Sequence, residues 1–150
     1  MKLAEALQER ADIQRRLAQL KDRLRSNARV QEGETPAEEP EALLSEMDAL
    51  FARLEHLIIR INLTNSAVAE EGVTLTELIA RRDCLERKIQ MLREFLNTAS
   101  DVVSRALRSE IRILSTVKVA DKRRQLDRLC KEYRELDSKI QQINWLTDLR

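Results

Sequence analysis

The stretch Leu78-Ile79-Ala80-Arg81-Arg82-Asp83-Cys84-Leu85-Glu86-Arg87-Lys88-Ile89 opens a run in which Leu78, Arg82, Leu85, Ile89, Leu92, Leu96, Ala99, Val103 and Ala106 recur at spacings of three and four. That spacing lines one side of an α-helix with apolar side chains, and such a helix is stable only when the side packs against other helices. Working outward, the same period appears at Leu3, Ala6, Arg10, Ile13, Leu17, Leu20 and Leu24. It returns at Leu43, Met47, Leu50, Leu54, Leu57, Ile61, Thr64 and Val68, and at Leu126, Leu129, Tyr133, Leu136, Ile140 and Ile143. Four long helices are predicted, over about Lys2 to Asn27, Pro40 to Glu70, Leu75 to Arg108 and Ala120 to Trp145.

The punctuation between these runs is sparse. Both prolines and one of the two glycines fall in the acidic stretch 28–40, which reads as an extended loop ending at Pro40 in the first turn of the second helix. Gly72 is predicted to supply a left-handed helix end, and Thr74 with Glu77 has capping-box spacing at the start of the third helix. Helices two and three then form an antiparallel hairpin. From Ile111 to Val119 the period changes to two, with Ile111, Ile113, Val117 and Val119 on one side, which predicts a strand. A lone strand needs a ladder partner, either the segment Ala28 to Glu32 or a second copy of the chain. The predicted fold is therefore mainly α. It is a long antiparallel helical bundle or coiled coil in one domain, 1–150, with a short two-stranded β ribbon and element order α-β-α-α-β-α.

Composition bounds the function. Charged residues make up 35% of the 150 residues and the net charge is +1. The charge is polarised: residues 1–30 carry eight basic and four acidic side chains, 31–50 seven acidic and none basic, and 101–150 twelve basic and eight acidic. These charges read first as solvated helix faces; in the alternative, the acidic loop meets the basic turn Lys122-Arg123-Arg124 of its own or a neighbouring chain, which would favour orderly self-assembly. No apolar run approaches the roughly 18 residues of a membrane span, so stable membrane insertion is not expected. Cys84 and Cys130 lie in helical patterns without framework spacing, which predicts reduced thiols and a cytoplasmic protein.

No reaction is announced. His56 is the only histidine, with Arg53 where an inward Glu of a di-iron motif would stand, so no metal is predicted. Gly33 and Gly72 are too far apart for a phosphate loop. The pairs Asp83 with Glu86 and Glu132 with Glu135 are interleaved with Arg and Lys, and they read as surface ion pairing before they read as a magnesium-dependent hydrolase site. Arg10 and Arg82 occupy seam positions where an apolar residue is expected, and a carboxylate partner for each, Asp83 for Arg82, would fix register. Arg105, Arg108, Arg112 and Lys122 belong to the densest basic region, and with Asn62 and Asn65 they define an alternative RNA- or anion-binding module.

The segments Leu3 to Asp12, Asn27 to Glu34, Arg60 to Asn65, Ser109 to Ile111, Lys131 to Asp137 and Gln141 to Trp145 together resemble the bacterial septicolysin-like family. The resemblance covers nearly the whole chain and implies a compact helical protein that self-associates. It marks Asn27, Gln31, Glu32, Asn62, Asn65, Arg81, Asp83, Arg105, Ser109, Glu110, Asn144 and Trp145 as positions for partner or ligand contact. Glu39 stands before Pro40 where relatives carry Asp, and Lys118 stands where an acidic helix cap is more usual. The family name implies a cytolysin; with no export signal and no amphipathic segment left over once the core is built, that activity is not expected here. The expectation is a non-enzymatic, cofactor-free helical protein that forms a homo-oligomer and acts as a scaffold or interaction module.

Overall fold

In the computed structural model, which describes residues 1–102 and 111–150, the elements run α1 (Leu3–Ser26), α2 (Pro40–Ala67), β1 (Ala69–Glu70), β2 (Val73–Thr74), α3 (Leu75–Ser100) and α4 (Val119–Leu146). The protein is thus mainly helical, with a short two-stranded antiparallel sheet between α2 and α3. It divides into two compact units, residues 1–74 with 143–150, and residues 75–142.

The first unit is built on the α1 and α2 seams. Leu3, Ala6, Ile13 and Leu20 of α1 and Leu43, Leu50, Leu57, Ile61 and Thr64 of α2 are buried, as their three-and-four spacing requires. The Lys2 N–H donates to Glu5 Oε2 at 2.6 Å and closes the start of α1. Pro40 begins α2, where its missing N–H has no intrahelical partner to lose. Between the helices, Asn27 is buried and holds the loop from both sides. Its Nδ2 donates to Arg23 O at 2.9 Å, and its Oδ1 accepts from the Glu38 N–H at 2.9 Å.

The chain end returns to this unit. Leu3 N–H donates to Thr147 O and Leu149 N–H to Met1 O, each at 2.9 Å. Arg150 N–H donates to Thr64 Oγ1 at 3.0 Å, and that hydroxyl donates to Arg60 O at 2.7 Å. Arg60 also reaches Leu149 O at 3.2 Å. Thr64, fully buried, therefore uses its hydroxyl both ways.

The ribbon is not where the sequence pattern puts it. Residues 111–118 are irregular, and no strand forms over Ile111–Val119 or Ala28–Glu32. The Ser115 hydroxyl donates to Val117 O at 3.0 Å and accepts from Val117 N at 3.4 Å, a local bond that competes with ladder pairing. Ile111 and Leu114 are 77% and 73% exposed instead of lining a face. The observed pairing is Ala69 with Thr74 and Glu70 with Val73. Its two-residue loop, Glu71 and Gly72, has φ of 53° and 80°, the double positive φ that a type I′ hairpin demands. Gly72 is left-handed as expected, but it serves this turn instead of a helix end. Among the described residues the order is consequently α-α-β-β-α-α.

In the second unit α3 and α4 run antiparallel. α3 stops at Ser100, short of the expected Arg108; that end point, with Val103 and Ala106, lies outside the described residues. Leu78, Ile89 and Leu96 of α3 and Ile140 of α4 are buried, while Leu126, Leu129 and Leu136 are half-buried. Lys118 accepts from the N–H groups of Asp121 and Lys122, each at 3.1 Å, and so stands at the start of α4.

Candidate functional site

The two flanks of the α1/α2 hairpin differ, and the difference follows from residues spaced by seven. A seven-residue step is close to two helical turns, so residues at that spacing form a line along one side. On one flank, Glu9, Arg16 and Arg23 of α1 face Arg53, Glu46 and Glu38. Arg53 Nε lies 2.6 Å from Glu9 Oε1 and its Nη2 2.8 Å from Glu9 Oε2, a bidentate pair. Arg16 reaches Glu46 at 3.4 Å, and Arg23 reaches Glu46 at 3.5 Å and Glu38 at 2.5 Å. The hydrogen bond from Arg53 holds the Glu9 carboxyl below its ordinary value, and that from Arg23 does the same for Glu38. A shallow groove on this flank is lined by Glu9, Ile13, Arg16, Leu50 and Arg53, of which Glu9 and Arg53 pair with each other and Arg16 with Glu46 outside the groove.

The opposite flank has apolar groups where this one has ions. On α2 the line Leu44, Phe51, Ile58 lies one residue round from the buried line Leu43, Leu50, Leu57, and its members are 38%, 53% and 37% exposed. Met47 and Leu54 lie half-buried between the two lines. Beyond the apolar line runs an acidic one, Glu41, Asp48 and Glu55, all exposed. On α1 the same flank carries the line Leu7, Gln14 and Lys21, with Ala11, Ala18 and Arg25 on the next line round. Arg10 sits at its inner edge, and its Nε is buried with no hydrogen-bond partner among the described residues. The carboxylate expected for Arg10 from a neighbouring helix is therefore not supplied to that atom within the described chain.

The residues singled out from sequence scatter over both units. Asn27 is a clasp whose amide is used at both ends by the fold. Gln31 and Glu32 are exposed in the loop, where Glu34 N–H bonds Gln31 O at 3.0 Å. Asn62 and Asn65 continue the acidic and apolar lines of α2 respectively and close the open flank with amides. Asn144 is buried and Trp145 is 54% exposed. Arg81 is exposed on α3. Arg105, Arg108, Ser109 and Glu110 lie outside the described residues.

Asp83 pairs with Arg82, as its seam position predicts, at 2.9 Å, and Arg82 also reaches Asp137 of α4 at 3.3 Å. Burial alone would lower the Arg82 pKa, and the two carboxylates outweigh it and raise it. Tyr133 close by is raised, by desolvation first and then by Glu86 and Asp137. Arg112 is exposed, and Lys122 donates to Gln125 Oε1 at 3.3 Å. Glu38 and Glu46 are taken by Arg23 and Arg16, and Arg124 pairs with Asp121 on its own helix. Among the described residues no three His, Cys, Asp or Glu side chains gather as a metal set. No helix among them is long and apolar enough to cross a membrane.

The ion-pair ladder and the tail clasp escape the seam pattern. The ladder leaves a signal, charges of alternating helices at heptad spacing beside the seam. The clasp of Arg60 and Thr64 on residues 149–150 leaves none, because its partners lie more than eighty residues away.

The protein is thus mainly α, and its α1/α2 hairpin has one polar and one apolar flank. The chain belongs to DUF6847, a family of unknown function, matching it over residues 10–149. It is similar over its whole length to a structure described as that of a functionally unknown conserved protein from Corynebacterium diphtheriae. The two share 40% sequence identity with a TM-score of 0.96, covering 100% of this chain and 99% of that one. No curated protein matches.

Proposed function

We propose that the protein is a self-associating helical scaffold or interaction module whose contact surface is the open flank of α1 and α2. The carrying observation is the exposed line Leu44, Phe51, Ile58, on the flank where a buried Arg10 Nε has no hydrogen-bond partner among the described residues. Large apolar side chains at heptad spacing on a protein with 35% charged residues are costly to leave in water. Covering each exposed portion contributes roughly 1 kcal/mol, and a two-fold pair uses each residue twice. That sum is comparable with the roughly 4–15 kcal/mol that association loses in freedom of motion, so the charges around the stripe decide how tight the pair is. The septicolysin-like resemblance, which implies self-association, is part of the same proposal. The strand expected to pair between chains is not part of it, because residues 111–118 form none.

Light scattering coupled to gel filtration on the untagged protein, with and without added cellular RNA, tests this reading. A discrete RNA-free multimer at micromolar concentration is expected, and Leu44→Glu with Phe51→Glu converts it to monomer. A wild-type protein that stays monomeric at every concentration overturns the proposal. Co-elution with RNA moves the function to Arg112, Lys122 and their neighbours.

A further inference from the structure

The register of the hairpin gives the open flank a geometry that selects its partner. Glu9 lies level with Arg53 and Arg16 with Glu46. Two residues on along α1 and two back along α2, Ala11 is level with Phe51; seven more bring Ala18 level with Leu44, and three more bring Lys21 level with Glu41. Each large side chain on α2 thus has a small one on α1 at its own height. The α1 rim is basic where the α2 rim is acidic. Arg10, level with Ala52, falls between Asp48 and Glu55.

We infer that a second copy of this chain covers the open flank through a two-fold axis parallel to the α1/α2 hairpin. The inference rests on the self-association reading above and specifies its partner and orientation. Rotation about that axis keeps every residue at its height and sets α1 of one copy against α2 of the other, antiparallel. Phe51 then meets the line of Ala11, Leu44 meets that of Ala18, and Lys21 with Arg25 meets Glu41. The Arg10 edge approaches Asp48 and Glu55, which offers its buried Nε an acidic environment. A two-fold axis across the hairpin would instead set α2 on α2. Phe51 would still find apolar company, but Glu41 would meet Glu55 and Asp48 its own copy, and like charges directly opposed disfavour the pairing. Charge therefore selects between two arrangements that apolar burial alone leaves nearly equal. Glu41, Asp48, Glu55, Lys21 and Arg25 form no ion pairs among the described residues, so their charges are open to a partner.

Sedimentation equilibrium on the full chain tests this with three charge variants. E41K with D48K, and separately K21E with R25E, each place like charges across the proposed interface and raise the dissociation constant about tenfold. The fourfold variant combining them restores opposite charges between positions 21, 25 and 41, while D48K still opposes Arg10, so the constant returns most of the way to the wild-type value, with the salt dependence retained. Glu41 lies in the first turn of α2, where a Lys is unfavourable to the helix. Recovery in the fourfold variant, which still carries that Lys, separates lost pairing from lost folding. If the wild type associates and both double variants associate equally well, the axis is wrong while self-association stands. A monomeric wild type removes both.

Discussion

Asn27 shows how much one side chain settles at the residue scale. Its amide ends α1 and fixes the loop at Glu38, and no other group within the loop does both. Asn27→Ala leaves the Glu38 N–H without its acceptor in a half-buried site. It is expected to lower stability by about 1–3 kcal/mol, read as the shift in urea midpoint at unchanged slope; an unchanged midpoint would mean that water replaces both bonds. Gly72 acts through backbone alone. At φ of 80° a Cβ meets nothing within 4 Å, so Gly72→Ala loses about 1–2 kcal/mol to left-handed strain and nothing to clash. Gly72→Asn is expected to lose less, and equal losses in the two variants would refute the conformational explanation. From sequence, Asn27 is legible as a polar residue at a helix end. That description fits a cap and a ligand contact alike, and only the position of Glu38, eleven residues on in a segment without period, separates them. The Arg82–Asp83 pair is legible because its partners are neighbours in the chain.

Between elements, periodicity explains both what is legible and what is not. The four described helices follow from spacing, and on α1, α2 and α3 the buried residues include alternate members of the seams, as Leu43, Leu50 and Leu57 do on α2, whereas on the α4 seam only Ile140 is buried. The ribbon defeats the same reasoning because strands of two residues are too short to show alternation, whereas Ile111 to Val119 shows it and forms no strand. The Glu9–Arg53 pair makes a prediction at this scale. Arg53's hydrogen bond lowers the Glu9 pKa in the folded state below the ordinary 4.5. Between that ordinary value and the lower folded one, the unfolded chain binds more protons, so stability rises with pH. The pair's contribution is complete above about 4.5 and disappears as pH falls through the folded value. Glu9→Gln therefore flattens part of the acid limb of a stability–pH curve, and an acid limb identical in wild type and variant would show that the pair contributes nothing. Helix α4 supplies a second test, because no residue from Val119 to Lys139 is buried. Few buried apolar contacts mean low local stability. Amides of residues 119–135 should exchange faster than those of 43–64 in dilute protein, and equal protection would show that half-burial suffices.

For the whole molecule, the self-association proposal makes stability a function of concentration. A partner that binds the folded chain and not the unfolded one stabilises it by mass action, so the melting temperature rises with protein concentration as long as the midpoint falls within the range where pairs form. The open flank supplies the reason for the linkage: Leu44, Phe51 and Ile58 are the side chains that a pair would remove from water, and they lie on the helix whose other side holds the core of the first unit. Over a hundredfold range of concentration the wild type should melt progressively higher. The variant Leu44→Glu with Phe51→Glu should melt at one temperature throughout, because its exposed positions change while Leu43, Leu50 and Leu57 remain. At the lowest concentration the two curves should converge, since a dissociated wild type and the variant share the same core. Convergence at low concentration and divergence at high concentration identify pairing as the cause. A constant offset at all concentrations would instead assign the effect to the helix itself, and a wild-type melting temperature independent of concentration would leave the apolar line without a partner copy.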